Sequence, residues 1–583
     1  MIIFKDKPMD RTQLLNLLWE YQMNYGFISE DAVSKISKTL NVSCIEVESV
    51  ISFYHFFHKN PTGKHTIYLD NSIISDIKGF EAVKTAFEKE TGCTFDEEGT
   101  DEFSLFESSC IGMSDQEPAA LINFQPFTDL TPKKVKLILD KIKRGENVKD
   151  FASKTKSKIH FTPEDDKAII FRPYELGKSV KKGLTLSQEE VVGKISKSKL
   201  LGLGGAFFPV GYKWKSCMNN EDHAKYIVCN ADEGEPGTFK DRAILQYLPG
   251  LVFEGMILAG YATGAKEGIV YLRAEYQFFK EELEVLMQKF RDENLLGKNI
   301  QGIKGFDFDI RIQLGAGSYV CGAASALIES LEGRRGEPPV RMWSATKHGF
   351  KHKPTIVNNV ETLAYASRIV ELGEEHFLSL GTEESPGTKL ISISGDVAKP
   401  GIYEIEYGTS IRELLGIEMS QATSPYYVQV SGPSGECVSP NEFDRRICKE
   451  DILCGGSFMV FNRTRDILQI LRNFMEFFKE ESCGVCTPCR AGNFILTEKV
   501  KKMQRGLASQ EELEEIKNWG DIIKLSSRCG LGKSSPNSLI YSIDKFKDYF
   551  DLKIAPSSEF QNVEFDMEDA IHEFDTVIKD TQI

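Results

Sequence analysis

Leu14, Leu15, Leu17, Leu18 and Tyr21 recur three and four positions apart, which lays one apolar stripe along a helix. Ser29-Glu-Asp-Ala then has the polar, acidic start of a second helix. Residues up to about 60 therefore read as short amphipathic helices. Beyond them, 65–69 predicts a strand, 80–87 a helix, 103–106 and 119–123 two more strands, and 131–142 a closing helix. Residues 1–150 are thus a helical preamble and a small α/β domain, and the charged stretch 144–167 reads as a linker. From about 165 to 380 helices and strands alternate around glycine-rich turns, the pattern of an α/β domain on parallel strands. Short strands at 389–393, 401–405 and 426–431, broken by Gly and Pro, predict a small β-rich domain over 385–465. Phe474, Phe477 and Phe478 open a helical domain over 466–550, and an acid-rich tail follows at 551–583. No internal repeat is visible.

Composition narrows the class. A chain of 583 residues is too long for one core. With 41% hydrophobic and 27% charged residues it has the make-up of a folded protein, and no apolar run approaches the ~20 residues of a membrane span. The first residues lack the apolar core of a secretory signal. A net charge of −15 argues against general nucleic-acid binding. Most of the thirteen cysteines are scattered, which fits a reducing, cytoplasmic setting better than a disulfide framework. Cys44, Cys93, Cys217, Cys229, Cys321, Cys437, Cys448 and Cys454 read as small buried apolar residues.

The exception is Glu481-Ser-Cys-Gly-Val-Cys-Thr-Pro-Cys-Arg490 with the later Ser527-Arg-Cys529. Cys483, Cys486 and Cys489 crowd three thiolates onto one loop, and Cys529 is the natural fourth corner of a [4Fe–4S] cube. Four thiolates also suit a structural zinc ion, but zinc sites usually come as two separate C-x2-C pairs. The cube is the better reading, and with it electron transfer.

Four polar or glycine-rich segments precede that loop. They are Leu201-Gly-Leu-Gly-Gly-Ala-Phe-Phe-Pro-Val-Gly-Tyr-Lys-Trp214, the acid-rich 230–242 after an apolar strand, Gly315-Ala-Gly-Ser-Tyr-Val-Cys-Gly322, and Lys353-Pro-Thr-Ile-Val-Asn-Asn-Val-Glu-Thr362. Glycines let backbone approach a phosphate or a flat ring, and polar side chains fixed at a strand end suit a ligand's hydroxyls and amides. Together with the cysteine loop, these segments resemble the NADH-binding flavoprotein subunit of respiratory complex I. A thioredoxin-like domain is fused in front. With Ser52-Phe-Tyr-His-Phe-Phe57, the segment 110–118 and Ser431-Gly-Pro-Ser-Gly-Glu-Cys437, the chain is similar to the diaphorase flavoprotein subunits of soluble NAD-reducing [NiFe] hydrogenases, up to about residue 550.

The resemblance implies a multidomain α/β fold: thioredoxin-like, Rossmann-like, β-grasp-like (ubiquitin-like) and helical iron–sulfur domains. It implies an oxidoreductase passing electrons between NAD(H), FMN and a [4Fe–4S] cluster, in complex with other subunits such as an iron–sulfur relay and [NiFe] hydrogenase subunits. Carried over by motif, Gly202, Gly204, Gly205, Lys213, Asn230, Asp232, Glu233, Tyr319, Gly322, Asn358 and Asn359 would hold FMN. Phe208 and Glu235 would face the nicotinamide nucleotide, and the four cysteines would hold the cluster.

Two departures stand out. Related thioredoxin-like domains hold a [2Fe–2S] cluster with four cysteines, whereas the matching positions here are Asp70, Ser75, Cys110 and Ser114. One thiolate predicts a structural or docking domain without a [2Fe–2S] centre. The family's first loop reads Arg-Gly-Arg-Gly-Gly-Ala-Gly-Phe, where this chain has Leu201, Leu203 and Phe207. The family's acidic pair is Ala323-Ala324, and its Pro-Pro-Phe-Pro segment is Met342-Trp-Ser-Ala345. These changes are expected around one nucleotide pocket. Two readings follow: a diaphorase with a remodelled nucleotide pocket, which ranks first, or an electron-relay or structural subunit that no longer uses NADH.

Overall fold

A computed structural model describes residues 10–161, 167–340, 344–416 and 425–554. Three sheets organise the chain. In the first, strand His65–Asp70 runs parallel to Phe103–Ser108 and antiparallel to Ala120–Ile122, which turns back into Gln125–Phe127. Helices Phe80–Thr91 and Pro132–Lys143 pack on it through Phe80, Val83, Phe87, Val135, Ile138 and Leu139. Thr131 caps the second helix, with Pro132 at its first position, where a missing N–H costs nothing. The helical preamble is Leu14–Tyr25, Glu30–Leu40 and Cys44–Ile51. Ser29 caps the middle helix as its sequence predicts, and Ser43 with Glu46 forms a reciprocal capping box on the third.

The second sheet is wholly parallel, in the order Asp309–Leu314, Glu267–Leu272, Tyr226–Ala231, Thr355–Asn359. Helix Pro249–Thr263 is buried almost all round behind it, with Leu251, Val252, Phe253, Met256 and Ile257 fully inside. Its one acid, Glu254, is satisfied by Tyr174 Oη at 2.6 Å and by the N–H groups of Gly177 at 2.7 Å and Ser179 at 3.0 Å. That set is what a buried carboxylate requires. Among the described residues no single helix is long and apolar enough to cross a membrane. The one helix pair that qualifies together, Lys240–Tyr247 with Pro249–Thr263, is bent by 93° and lies in this core.

The third sheet has six strands, ordered Glu436–Val438, Pro425–Val430, Ser457–Asn462, Thr388–Gly395, Gly401–Glu406, Ile159–Phe161. Its last strand comes from the stretch read as a linker: Ile159, His160 and Phe161 pair in parallel with Ile402, Tyr403 and Glu404. The charged flanks hide a three-residue strand whose pairing is set by tertiary context. Helices Ile467–Glu481, Thr487–Gln504, Gln510–Ser526 and Asn537–Lys545 complete the chain around Leu468, Leu471, Phe474, Leu496, Ile516 and Leu539. Truncating one of these to alanine would cost about 2–5 kcal/mol. Met342 and Trp343, and the tail from 555 onward, lie outside the described residues.

Candidate functional site: a strand-end cleft beside a four-cysteine loop

Parallel strands end together at one edge, and the loops leaving them enclose a cleft of about 660 Å³. The register places Cys229 beside Asn358 and Asn230 beside Asn359, so two neighbouring strands deliver their polar residues to one spot. Every residue carried over by motif lines this cleft: Gly202, Gly204, Gly205, Phe208, Lys213, Asn230, Asp232, Glu233, Glu235, Tyr319, Gly322, Asn358 and Asn359.

The glycines leave room that side chains would close. A Cβ at Gly204 would stand 3.1 Å from Asn359, and one at Gly322 would stand 3.4 Å from the Asp232 carbonyl. Lys213 comes from helix Val210–Met218 and donates to the Val357 carbonyl at 3.2 Å; burial lowers its pKa. The adjacent Trp214 is fully buried and donates its indole N–H to Asn358 Oδ1 at 3.2 Å. Asn358 Nδ2 and Asp232 Oδ2 are both buried and without protein partners. A donor and an acceptor left bare inside a cleft are what a polar ligand supplies. The hydroxylated chain of a flavin nucleotide has that chemistry, so the residues present fit FMN.

Other members have structural duties. Glu233 accepts from the N–H groups of Asp241 at 2.8 Å and Arg242 at 3.1 Å and from Tyr276 Oη at 3.0 Å; burial pushes its pKa up to about 7. Asn359 donates to Asp241 at 2.5 Å, and Asp241 is held by Lys240 at 2.7 Å. Glu235 is bridged by Tyr319 Oη and by the Ser434 N–H at 2.9 Å, and burial raises it to about 7. Lys240, Asp241, Thr362, Ser431, Ser434 and Lys533 also line the cleft and were not picked out by sequence. The quoted segments did contain the first five, but only the fold shows which of their residues turn inward.

Of the departures, Leu203 and Phe207 from the first loop and the pair Ala323 and Ala324 line the cleft. Leu201 does not: it lines a separate small pocket with Phe377 and Tyr407. Phe207 sits at φ +47°, the left-handed region that favours glycine. The loop thus keeps a glycine conformation with a phenyl ring on it.

The cysteine loop lies against one wall. Helix Ile467–Glu481 ends at extended Ser482, Gly484 turns the chain at φ +77°, and helix Thr487–Gln504 begins at Cys486 with Pro488 in its first turn. Cys489 is buried, while Cys483, Cys486 and Cys529 are partly exposed. All four pack with Val320, Ala323, Phe478 and Leu531 in one cluster. Burial, and then repulsion from Cys529, Cys483 and Cys486, raise the Cys489 thiol to about 11, against the Ser482 hydroxyl. Asn493 Nδ2 approaches its sulfur at 3.4 Å. A cube takes one thiolate per iron corner, and the four cysteines gathered in this cluster are that donor set. Val320, Ala323 and Leu531 line the cleft and also pack in the cysteine cluster, so the two share a wall.

In the N-terminal domain Asp70, Ser75, Cys110 and Ser114 are buried. The Asp70 carboxylate accepts from the N–H groups of Ser72 at 2.8 Å and Ile111 at 2.9 Å, and Cys110 Sγ lies 3.6 Å from Ser114 Oγ. His55, His58 and His65 are packing residues, His58 stacking on Phe106 at 4.5 Å. Cys44 is exposed; the other scattered cysteines are buried as expected.

Three protein families match along the chain: thioredoxin-like [2Fe–2S] ferredoxin over 1–143, the Nuo51 FMN-binding domain over 195–368, and the NADH-ubiquinone oxidoreductase-F iron–sulfur binding region over 469–553. The NAD-reducing hydrogenase HoxS subunit alpha of Cupriavidus necator is 43% identical over 98% of this chain and 97% of its own length. The chain belongs to the family of diaphorase flavoprotein subunits of NAD-reducing hydrogenases. The crystal structure of NAD+-reducing [NiFe]-hydrogenase in the H2-reduced state contains a chain that superposes on this diaphorase-family chain with a TM-score of 0.88 at 33% identity, covering 97% of this chain and 96% of that one. The NADP-reducing hydrogenase subunit HndC of Solidesulfovibrio fructosivorans is 38% identical over 67% of this chain and 80% of its own.

The match over 1–143 corrects one expectation. The N-terminal domain belongs to a [2Fe–2S]-binding family, so the reading of a domain with no [2Fe–2S] centre is overturned. That reading weighed side-chain softness at four positions, where one thiol stands beside a carboxyl and two hydroxyls.

Proposed function

We propose that this chain is the diaphorase subunit of a multisubunit oxidoreductase, working between a nicotinamide nucleotide, FMN and a [4Fe–4S] cluster. The observation that carries the reading is the shared wall of Val320, Ala323 and Leu531 between the cleft and the cluster of four cysteines. A flavin, when bound, accepts hydride on one side and releases electrons singly on the other. The chain's own residues set that up. Asn358, fixed by Trp214, and Asp232 offer a free donor and acceptor to the flavin's polar chain. Lys213, which lines the cleft, would supply a cation for its phosphate, and the glycine loop would allow close approach. Phe208, 45% exposed, and Glu235 stand at the nucleotide side. Cys483, Cys486, Cys489 and Cys529 would hold the cluster.

On this reading residues 1–150 are the thioredoxin-like domain with its preamble, 165–380 the FMN and nucleotide domain, 385–465 the β-grasp-like domain and 466–550 the cluster domain. The nucleotide pocket is remodelled: Ala323 and Ala324 offer no carboxylates, and Phe207 fills space that the family's glycine leaves open. A relay or structural role without NADH is not favoured, because the bare Asp232 and Asn358 atoms are what a flavin site needs. Partners would be an iron–sulfur relay subunit and [NiFe] hydrogenase subunits, in the cytoplasm. Steady-state reduction of an artificial acceptor by NADH tests the reading: turnover that requires bound FMN supports it, and a flavin-loaded chain without turnover defeats it.

A further inference from the structure

Two buried arginines tie the floor of the cleft to the loop 110–118 of the N-terminal domain. Arg273 follows strand Glu267–Leu272 and is 4% exposed. One end of its guanidinium donates to the Glu233 carbonyl; the other donates to the Cys110 carbonyl at 2.8 Å and to Glu275 at 2.7 Å. Arg242, fully buried, donates to the Gly112 carbonyl at 2.7 Å, to Asp115 at 2.7 Å and to Ser157 at 2.6 Å. Its own backbone N–H and Tyr276 Oη both reach Glu233 Oε2, at 3.1 and 3.0 Å. Gly112, at φ +79°, lies so close that a Cβ there would stand 2.2 Å from that tyrosine oxygen. Glu233 is therefore held at its carbonyl and its carboxylate by groups that also grip the N-terminal domain. Its neighbour in sequence is Asp232, which lines the cleft and whose buried Oδ2 has no protein partner.

We propose that Arg273, Arg242 and Tyr276 are positioning residues through which loop 110–118 sets the flavin-binding face of the cleft. The thioredoxin-like domain is then a working part of the flavin site. A planar guanidinium fixes its acceptors directionally, and at this depth of burial a lost bond leaves carbonyls unpaired. Any shift of the loop is passed to Glu233 and so to Asp232. The inference rests on the flavin reading of the cleft.

The test uses the full-length chain with its cluster loaded, stripped of flavin and titrated with FMN. Three variants act from different sides: Tyr276→Phe removes one hydroxyl, Gly112→Ala acts from the N-terminal domain, and Arg273→Met removes the clamp, with Arg273→Lys as the conservative rescue. Flavin affinity should fall several-fold in the first and about tenfold or more in the next two, with lysine intermediate. The flavin midpoint potential should move with it while cluster absorption is unchanged. In an Asp232→Ala background Gly112→Ala should add much less than it does alone. If Arg273→Met does not fold, Tyr276→Phe and Gly112→Ala decide the matter. Variants with intact cluster absorption and parental FMN affinity and potential would overturn the inference. A parent that takes up no FMN defeats the flavin reading and this inference with it.

Discussion

Trp214 donates its indole N–H to Asn358 Oδ1 at 3.2 Å, and Asn358 Nδ2 is left without a partner in the wall of the cleft. The bond occupies the amide oxygen, so the tryptophan decides that the group left for a ligand is a donor, not an acceptor. Trp214→Phe keeps the ring in the core but frees the amide. FMN affinity should fall about fivefold to tenfold, the worth of one buried hydrogen bond. In an Asn358→Ala background the same change should have little further effect on affinity. Full additivity would contradict the relationship.

The cluster can be separated from the flavin. Cys486→Ala or Cys529→Ala should abolish the broad visible absorption of the cluster and lower iron by about four atoms per chain relative to the parent. FMN should remain, because neither cysteine lines the cleft. Iron analysis and a visible spectrum of each variant check this; iron at the parental level would rule out these ligands.

Phe207 holds a backbone conformation that costs a non-glycine residue about 1 kcal/mol. Phe207→Gly should remove that strain and open the cleft, lowering KM for NADH several-fold with little change in kcat. Adding Ala323→Glu and Ala324→Glu should lower it further by returning acceptors to the nucleotide. Leu203 is 2% exposed, so an arginine there would be buried, and it is left unchanged. Unchanged KM in these variants would mark the substitutions as neutral.

Glu235 is raised from 4.5 to about 7, chiefly by burial, against hydrogen bonds from Tyr319 and Ser434. Between those pH values the folded chain holds a proton that the unfolded chain has released. This carboxyl therefore adds stability below pH 4.5 and loses it as pH rises towards 7. Glu235→Gln should be stabilised relative to the parent at pH 8 compared with pH 5, by about 1–2 kcal/mol given that the group lines an open cleft. Urea midpoints at the two pH values measure it. A difference of opposite sign would refute the assignment.

Much of this was legible before the fold. Capping serines, the helical stripe at Leu14 to Tyr21 and the parallel strands around the glycine loops are local patterns, and local patterns survive into structure. The cysteine spacing was stronger still, since ligand geometry limits it. What was missed depends on tertiary context. Ile159–Phe161 is too short to announce itself, and strand Ser457–Asn462 at the heart of the third sheet reads equally well as buried helix. Leu201 and Leu203 look like a pair in sequence, yet only Leu203 lines the cleft. Arg273 carries no motif at all. Its role comes from bridging Cys110 and Glu233, residues far apart along the chain. The N-terminal domain shows the opposite error, where side-chain identity at four positions outweighed the family to which the whole domain belongs.

The central claim is that electrons cross the wall of Val320, Ala323 and Leu531 between the cleft and the cysteine loop. Anaerobic titration of the FMN-loaded chain with NADH, followed by visible absorption and low-temperature EPR, tests it directly. The flavin bands should bleach and a reduced-cluster signal should appear with them, and Cys486→Ala should abolish that signal while the bleaching persists. Flavin that stays oxidised under excess NADH, or bleaching with no cluster signal in the parent, would contradict the account.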